Sequence, residues 1–194
     1  MSKKDILLVG VGGQGTVLAG KILAQVGVKA GLAAKVSEIH GMAQRGGGVV
    51  TQVRLGSSVS SPVVSRGQVD AIIAFEKLEA ARWIPYLSSQ GWMIVNDQEV
   101  MPLPVLAGEA VYPAGIIGQL CCQLHQLRVV QAVKLATECG SPRSMNLVLL
   151  GILAPSLGFP RTLWEEVIAE AVPPSTREVN LKAFGRGWAL ESTA

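Results

Sequence analysis

Cysteine is scarce in this sequence, and its scarcity limits the chemistry that the chain can perform alone. Three cysteines occur, Cys121, Cys122 and Cys139, and no two of them form a C-x-x-C pair. This pattern excludes a disulfide framework and is too sparse for a self-contained iron–sulfur cluster, which normally requires four thiolates. Any redox centre must therefore belong to another chain or domain, and we expect the three thiols to be reduced and buried.

Charge is also scarce. Charged residues make up 16% of the chain, whereas hydrophobic residues make up 49%. A sparsely charged surface favours burial against a partner, so we expect a protein partner, and self-association when the chain is isolated. The net charge of +3 is mild and no basic run exceeds Lys3–Lys4, so nothing indicates nucleic-acid binding.

The sequence has only short apolar runs. The first run, at residues 6–9, is soon broken by glycines and Gln14, and the longest later run covers only residues 147–154. Both are too short for a membrane span or a secretory signal. With 194 residues, we expect one soluble, cytoplasmic domain over residues 1–194 with no membrane partner.

The hydrophobic pattern alternates between short buried strands and amphipathic helices. It predicts strands at residues 5–10, 33–38, 49–55, 70–75 and 91–96, a last edge-like strand at 109–112, and irregular structure at 101–108. Helices are predicted from Thr16, at 76–83, at 129–139 and at 145–153, and capping boxes predict two more, at Thr162 and Ser175. The fold class is therefore α/β and Rossmann-like: a mainly parallel sheet flanked by helices, with a helical C-terminal third.

A glycine-rich loop joins the first strand to the first helix. Its candidate binding residues are Gly10, Gly12, Gly13, Gln14, Gly15 and Thr16. The glycines satisfy the G-x-G-x-x-G pattern in its strand-to-helix context, where helix N–H groups attract an anion. A dinucleotide site also needs an acidic residue about 20 residues further on, and the only candidate, Glu38, comes late. Nucleotide binding and a tight packing turn both remain open.

A second glycine cluster, at residues 40–48, follows the second strand and carries a cation. Its candidate binding residues are Arg45, Gly46 and Gly47, which can form an anion-binding nest with a guanidinium clamp. A solvated loop cation is the alternative for Arg45. His40 could act as an acid–base group, but no nucleophile or paired carboxylate beside it completes a catalytic set, so positioning or interface roles are favoured.

Two glutamates begin the helix that follows the fourth strand. Glu76 stands at the carboxyl end of that strand, which suits a functional role, although an acidic residue there also suits the helix dipole. Glu79 and Arg82 have the spacing of an i,i+3 ion pair, worth about 0.2–0.5 kcal/mol.

The motifs taken together resemble those of a known family. They are the two glycine loops, the segment 74–82, Asn146-x-x-Leu-Leu-Gly151 and Asn180-x-x-x-Phe184. The chain resembles the gamma-type subunit or domain of 2-oxoacid:ferredoxin oxidoreductases, and within that family the beta subunit of the indolepyruvate enzyme. The likeness runs from about Lys4 to Gly187.

This resemblance implies a subunit of an enzyme that oxidatively decarboxylates a 2-oxoacid with coenzyme A and passes electrons to ferredoxin. It implies that thiamine diphosphate and iron–sulfur clusters lie on a larger partner subunit, that ferredoxin interacts through the complex, and that the isolated chain is inactive. A contact with coenzyme A would fall on the two glycine loops. Pyruvate, 2-oxoglutarate and branched-chain enzymes share these loops, so those substrates stay open beside indolepyruvate, as does a stand-alone nucleotide-binding protein.

Overall fold

A computed structural model describes residues 3–41 and 47–192. Its centre is a six-stranded sheet with the spatial order β2-β3-β1-β4-β5-β6. The strands are β1 (Lys4–Val11), β2 (Ala33–His40), β3 (Gly48–Gly56), β4 (Val69–Ala74), β5 (Leu87–Asn96) and β6 (Leu127–Val130). Those predicted from residues 5, 33, 49, 70 and 91 are confirmed, with their ends displaced.

Strand direction gives the sheet its mainly parallel character. β1, β4, β5 and β6 are parallel neighbours, whereas β3 lies antiparallel to both β1 and β2. β2 therefore runs in the same direction as β1 but is separated from it by β3. The predicted Rossmann-like class is confirmed, with one reversed strand inserted next to the edge of the sheet.

Helices cover both faces of the sheet. They are α1 (Thr16–Lys29), α2 (Lys77–Trp83), α3 (Leu103–Leu106), α4 (Ile116–Gln123), α5 (Ala132–Glu138), α6 (Met145–Leu153), α7 (Arg161–Ala171) and α8 (Arg177–Ser192). Helix α1 and helices α5 to α8 contribute to the larger apolar core on one face. Helices α2 and α4 contribute to a smaller core on the other. No helix in the described ranges is long and apolar enough to cross a membrane.

The region between residues 101 and 139 differs from the prediction. The strand expected at 109–112 is wrong, because these residues form turns and loop, and the last strand is β6. The helix expected at 129–139 begins only at Ala132, because Val129 and Val130 pair with β5 instead. The proline-rich stretch 101–108 was expected to be irregular, but it contains the single helical turn of α3.

The two predicted capping boxes are also wrong. Helix α7 begins at Arg161 directly after Pro160, so Thr162 already lies inside it. Ser175 lies in a short 3₁₀ turn that precedes the first residue of α8. Pro160 immediately precedes α7, and Pro174 is the first residue of the 3₁₀ turn. The fixed φ of proline suits a helix start, and proline has no N–H group that needs a cap.

The cysteines are only partly buried. Cys139 is buried, but Cys121 and Cys122 are exposed, contrary to expectation. Helix α4 buries only Ile116 and Leu120, which are four residues apart and therefore lie on one side of the helix. The two adjacent cysteines fall on the side that faces away from the sheet.

Helices α6 and α8 pack closely through glycine. All 9 residues of α6 are buried, as the apolar pattern predicts. A Cβ atom added to Gly187 would collide with the Val148 carbonyl oxygen, and one added to Gly151 would collide with the Phe184 carbonyl oxygen. Backbone therefore meets backbone at this contact, and α8 continues through Gly187 to Ser192.

Gly187→Ala should destabilise the chain, because a methyl group has no space between α6 and α8. Overpacking of this kind costs about 1–3 kcal/mol. Gly118→Ala, on α4, is the matched control, because an added Cβ there meets no atom within 4 Å; it should be neutral or stabilise by up to about 1 kcal/mol. Urea unfolding of the two variants measures the difference, and equal free energies of unfolding would contradict the close contact.

Candidate functional site

The first glycine loop turns sharply from β1 into α1. Gly13 has a φ of 96° and Gly15 a φ of 82°. Residues other than glycine rarely adopt such positive φ values. Gly15 is the residue before α1, and the first-turn N–H groups of an α-helix lack intrahelical acceptors. The loop thus ends in a helix start that attracts negative charge.

The side chain of Gln14 fills the gap between β1 and β4. Its Oε1 accepts the Val11 N–H at 2.9 Å, and its Nε2 donates to the Phe75 carbonyl at 3.1 Å and to Gln98 Oε1 at 3.3 Å. Gly10 leaves room for this arrangement, because a Cβ there would lie 2.8 Å from Gln14 Oε1 and from Phe75 Cβ.

This gap is the switch point of the sheet. The connection after β1 leads towards β2, and the connection after β4 leads towards β5, in the opposite direction. Ligands of open α/β sheets usually bind in the crevice at such a point. Because Gln14 occupies it, the space for a ligand lies on the α1 side of the loop.

A cleft of about 920 Å³ opens on that side. The residues of its wall include Gly12, Gly13, Gly15, Thr16, Lys21 and His40. Lys21 also lines a neighbouring groove of about 450 Å³, together with Gln25 and Glu38. Cleft and groove thus share Lys21, for which the described part of the chain supplies no carboxylate partner.

The structure divides the sequence-predicted site residues into groups. Gly12, Gly13, Gly15 and Thr16 line the cleft, whereas Gly10 and Gln14 lie beneath it in the closed switch point. The Gly47 carbonyl accepts the Gly12 N–H at 3.0 Å, which ties the second loop to the first. Arg45 and Gly46 lie outside the described residues.

Two buried asparagines, to which sequence reasoning gave no role in the site, hold the loops in place. Asn146 Nδ2 donates to the Gly15 carbonyl at 3.3 Å. Asn96 Nδ2 donates to the Phe75 carbonyl and to Gln98 Oε1, both at 3.0 Å, while its Oδ1 accepts the Ala132 N–H at 3.0 Å. The available signal was an amide inside an apolar segment, because buried polar groups normally have partners.

Comparison with known proteins assigns the fold and its loops to a family. Residues 5–190 match the family described as pyruvate ferredoxin/flavodoxin oxidoreductase. The chain belongs to this family. The resemblance inferred from the two glycine loops together with the motifs at 74–82, 146–151 and 180–184 is thereby confirmed.

Individual members of the family are similar to this chain over nearly its whole length. It is 37% identical to the indolepyruvate oxidoreductase subunit IorB of Pyrococcus horikoshii, over 96% of this chain and 95% of the relative. The structure resembles the gamma subunit of a keto/oxoacid ferredoxin oxidoreductase from Geobacter sulfurreducens, with TM-score 0.73, 25% identity and coverage of 98% and 99%.

A third protein shares the fold. It is the 2-oxoglutarate:ferredoxin oxidoreductase of Magnetococcus marinus, with TM-score 0.76 and 21% identity, over 100% of this chain and 32% of that one. That enzyme was solved with 2-oxoglutarate, coenzyme A and succinyl-CoA bound.

The strand order of this chain does not provide the dinucleotide site that its glycine pattern suggested. Such a site takes its acidic residue from the end of the strand beside β1. Here β3 occupies that place, and Glu38 lies on β2, two strands or about 10 Å away. The Glu38 carboxylate instead lies 3.5 Å from His40 Nε2. No group of three or more potential metal ligands occurs within residues 3–41 and 47–192.

The two glutamates at α2 lie in a polar cluster on the opposite face. Glu76 caps α2 by accepting the Glu79 N–H, and it accepts the Tyr112 hydroxyl at 2.9 Å. Burial raises the pKa of Tyr112, and the bond to Glu76 raises it further, so the hydroxyl remains a donor. The predicted Glu79–Arg82 pair is confirmed, at 2.6 Å. Glu76 therefore has the capping role that its position allowed.

Glu79 should make stability depend on pH. Burial raises the pKa of its carboxyl above the ordinary value of 4.5, although Arg82 acts in the opposite direction. The folded chain thus holds this proton where the unfolded chain has lost it, so this group's contribution to the free energy of unfolding falls as the pH rises above 4.5.

Glu79→Gln removes this titration and should flatten the fall in the free energy of unfolding, measured by urea unfolding between about pH 4 and pH 7. Glu178→Gln, at an exposed position in the first turn of α8, is the control and should keep the slope of the unaltered chain. Parallel curves for Glu79→Gln and the unaltered chain would contradict the assignment.

Proposed function

We propose that the chain is the smaller subunit of an indolepyruvate-type 2-oxoacid:ferredoxin oxidoreductase. The observation that carries this proposal is the 37% identity to the IorB subunit, which extends over 96% of one chain and 95% of the other. The assembled enzyme converts an aryl 2-oxoacid, coenzyme A and two oxidised ferredoxins into an acyl-CoA, carbon dioxide, two reduced ferredoxins and a proton.

The larger partner subunit supplies thiamine diphosphate and the iron–sulfur clusters in this proposal. Thiamine diphosphate provides the carbanion chemistry for decarboxylation, and the clusters take up the two electrons. Three cysteines without a C-x-x-C pair support this division, because a cluster needs four thiolates at suitable spacing. The pocket that recognises the aryl group also belongs to the partner.

The contribution of this chain to binding is a contact with coenzyme A. The cleft over the start of α1 suits a phosphate group, because a helix N-terminus favours anions and Lys21 adds a positive charge beside it. Its volume of about 920 Å³ lies within the usual range for ligand sites. Gly13, Gly15 and Thr16 would offer backbone N–H groups, while Gly12 lines the cleft with its own N–H bonded to the Gly47 carbonyl. We retain Arg45, Gly46 and Gly47 as predicted phosphate contacts from the second loop.

The function is tested by coexpressing the chain with its larger subunit and assaying the complex without oxygen. Indolepyruvate, pyruvate and 2-oxoglutarate are each supplied with coenzyme A and ferredoxin. We expect acyl-CoA formation only when both chains are present, with indolepyruvate giving the highest kcat/KM. Full activity of the larger subunit alone would refute the subunit proposal, and preference for another acid would refute only the choice of substrate.

Lys21→Ala should raise the KM for coenzyme A about tenfold or more in the complex, since a charge-assisted hydrogen bond contributes about 1.5–3 kcal/mol. Lys134→Ala is the matched control. Lys134 lines a separate depression of about 320 Å³ beside Asn96 and Gln98, on the other side of Gln14, so its removal should leave the KM unchanged.

Calorimetric titration of the same complexes with coenzyme A checks binding independently of turnover. Repeating it with dephospho-coenzyme A tells which phosphate Lys21 contacts: if it is the 3′-phosphate, Lys21→Ala reduces the preference for coenzyme A, whereas a diphosphate contact weakens both ligands equally. Unchanged affinity for both would place coenzyme A outside this cleft.

A further inference from the structure

The exposed apolar side chains are unevenly distributed. Eight large hydrophobic residues are exposed in the described part of the chain, and four of them, Met101, Leu103, Leu106 and Val111, fall between residues 101 and 111. Leu103 is 75% exposed, Leu106 70% and Val111 90%. A concentration of this kind indicates an interaction surface rather than the scattered exposure that any protein shows. We call residues 101–111 the apolar segment.

The apolar segment is anchored at both ends to the carboxyl edge of the sheet. Before it, Glu99 binds Lys77 at 2.8 Å, and Gln98 contacts Gln14 of the glycine loop at 3.3 Å. After it, the Tyr112 hydroxyl donates to Glu76 at 2.9 Å. The segment therefore emerges beside the loop that forms the coenzyme A cleft.

The backbone of the apolar segment is held in one shape. The Pro104 carbonyl accepts N–H groups from Glu109 at 2.8 Å and Ala110 at 3.2 Å, which closes a loop around α3. In this helical turn Leu103 and Leu106 stand three residues apart and therefore side by side. A surface ordered in advance loses little entropy on binding.

We propose that the apolar segment docks onto the larger, thiamine-containing subunit. The inference rests on the proposed function, in which the thiol of coenzyme A would have to reach the thiamine diphosphate held by the partner. A partner that covers the cleft at the carboxyl edge therefore also meets the segment that leaves this edge next to Gln14. A second copy of the chain in the same place would compete with the catalytic partner for this edge.

The experiment coexpresses the Leu103→Glu and Leu106→Glu variants with the larger subunit and dilutes each purified complex. We expect the concentration at which specific activity falls by half to rise about tenfold or more, as for a buried interface anchor, while activity at high concentration is preserved. Val28→Glu is the matched control, because Val28 is 57% exposed but lies near the end of α1, at the opposite edge of the sheet. It should leave the dilution curve unchanged.

The other outcomes separate the proposals. If both glutamate variants form a stable, active complex with the same dilution curve as the unaltered complex, the docking surface is overturned and the proposed function is left intact. Loss of self-association of the isolated chain, with an unchanged complex, would make the segment an interface between copies and also overturn the proposal. Failure of the unaltered chain to form any complex would overturn the docking surface and the proposed function together.

Discussion

The side-chain amide of Gln14 joins three parts of the carboxyl edge, and the arrangement of the site depends on it. Its oxygen holds the end of β1, and its nitrogen reaches the Phe75 carbonyl and Gln98. The bond to Val11 satisfies a backbone N–H group of a buried residue, so its loss would cost more than its formation contributes. The amide thereby closes the usual crevice, directs a ligand towards α1 and fixes the starting point of the apolar segment.

The order of the strands determines which ligand the glycine loop can bind. The same loop sequence would indicate a dinucleotide site if a parallel strand with a terminal acid lay beside β1. The antiparallel strand β3 takes that place and moves Glu38 to the edge of the sheet. What remains is a loop whose helix start suits an anion but which lacks the acidic residue that holds the ribose of a nicotinamide cofactor.

The sequence predicted those parts of the fold that local patterns determine. Strand β1 and the buried helix α6 follow from continuous apolar runs, and helix α1 follows from apolar residues at helical spacing. Val129 and Val130 fit both helix and strand, and only pairing with β5 decides between them, so β6 was missed. The loop residues were predictable from glycine spacing, but the roles of Gln14 and Asn146 were not, because their partners are distant in sequence.

The hydrogen bond between Asn146 and the Gly15 carbonyl spans 131 residues. In a chain that folds as it is synthesised, β1 and α1 emerge long before Asn146, so this support for the glycine loop is added only once helix α6 has packed against the sheet. Because contacts that close long loops form slowly, we expect the bond to the Gly15 carbonyl to form late in folding. One end of the glycine loop therefore depends on the C-terminal half of the chain.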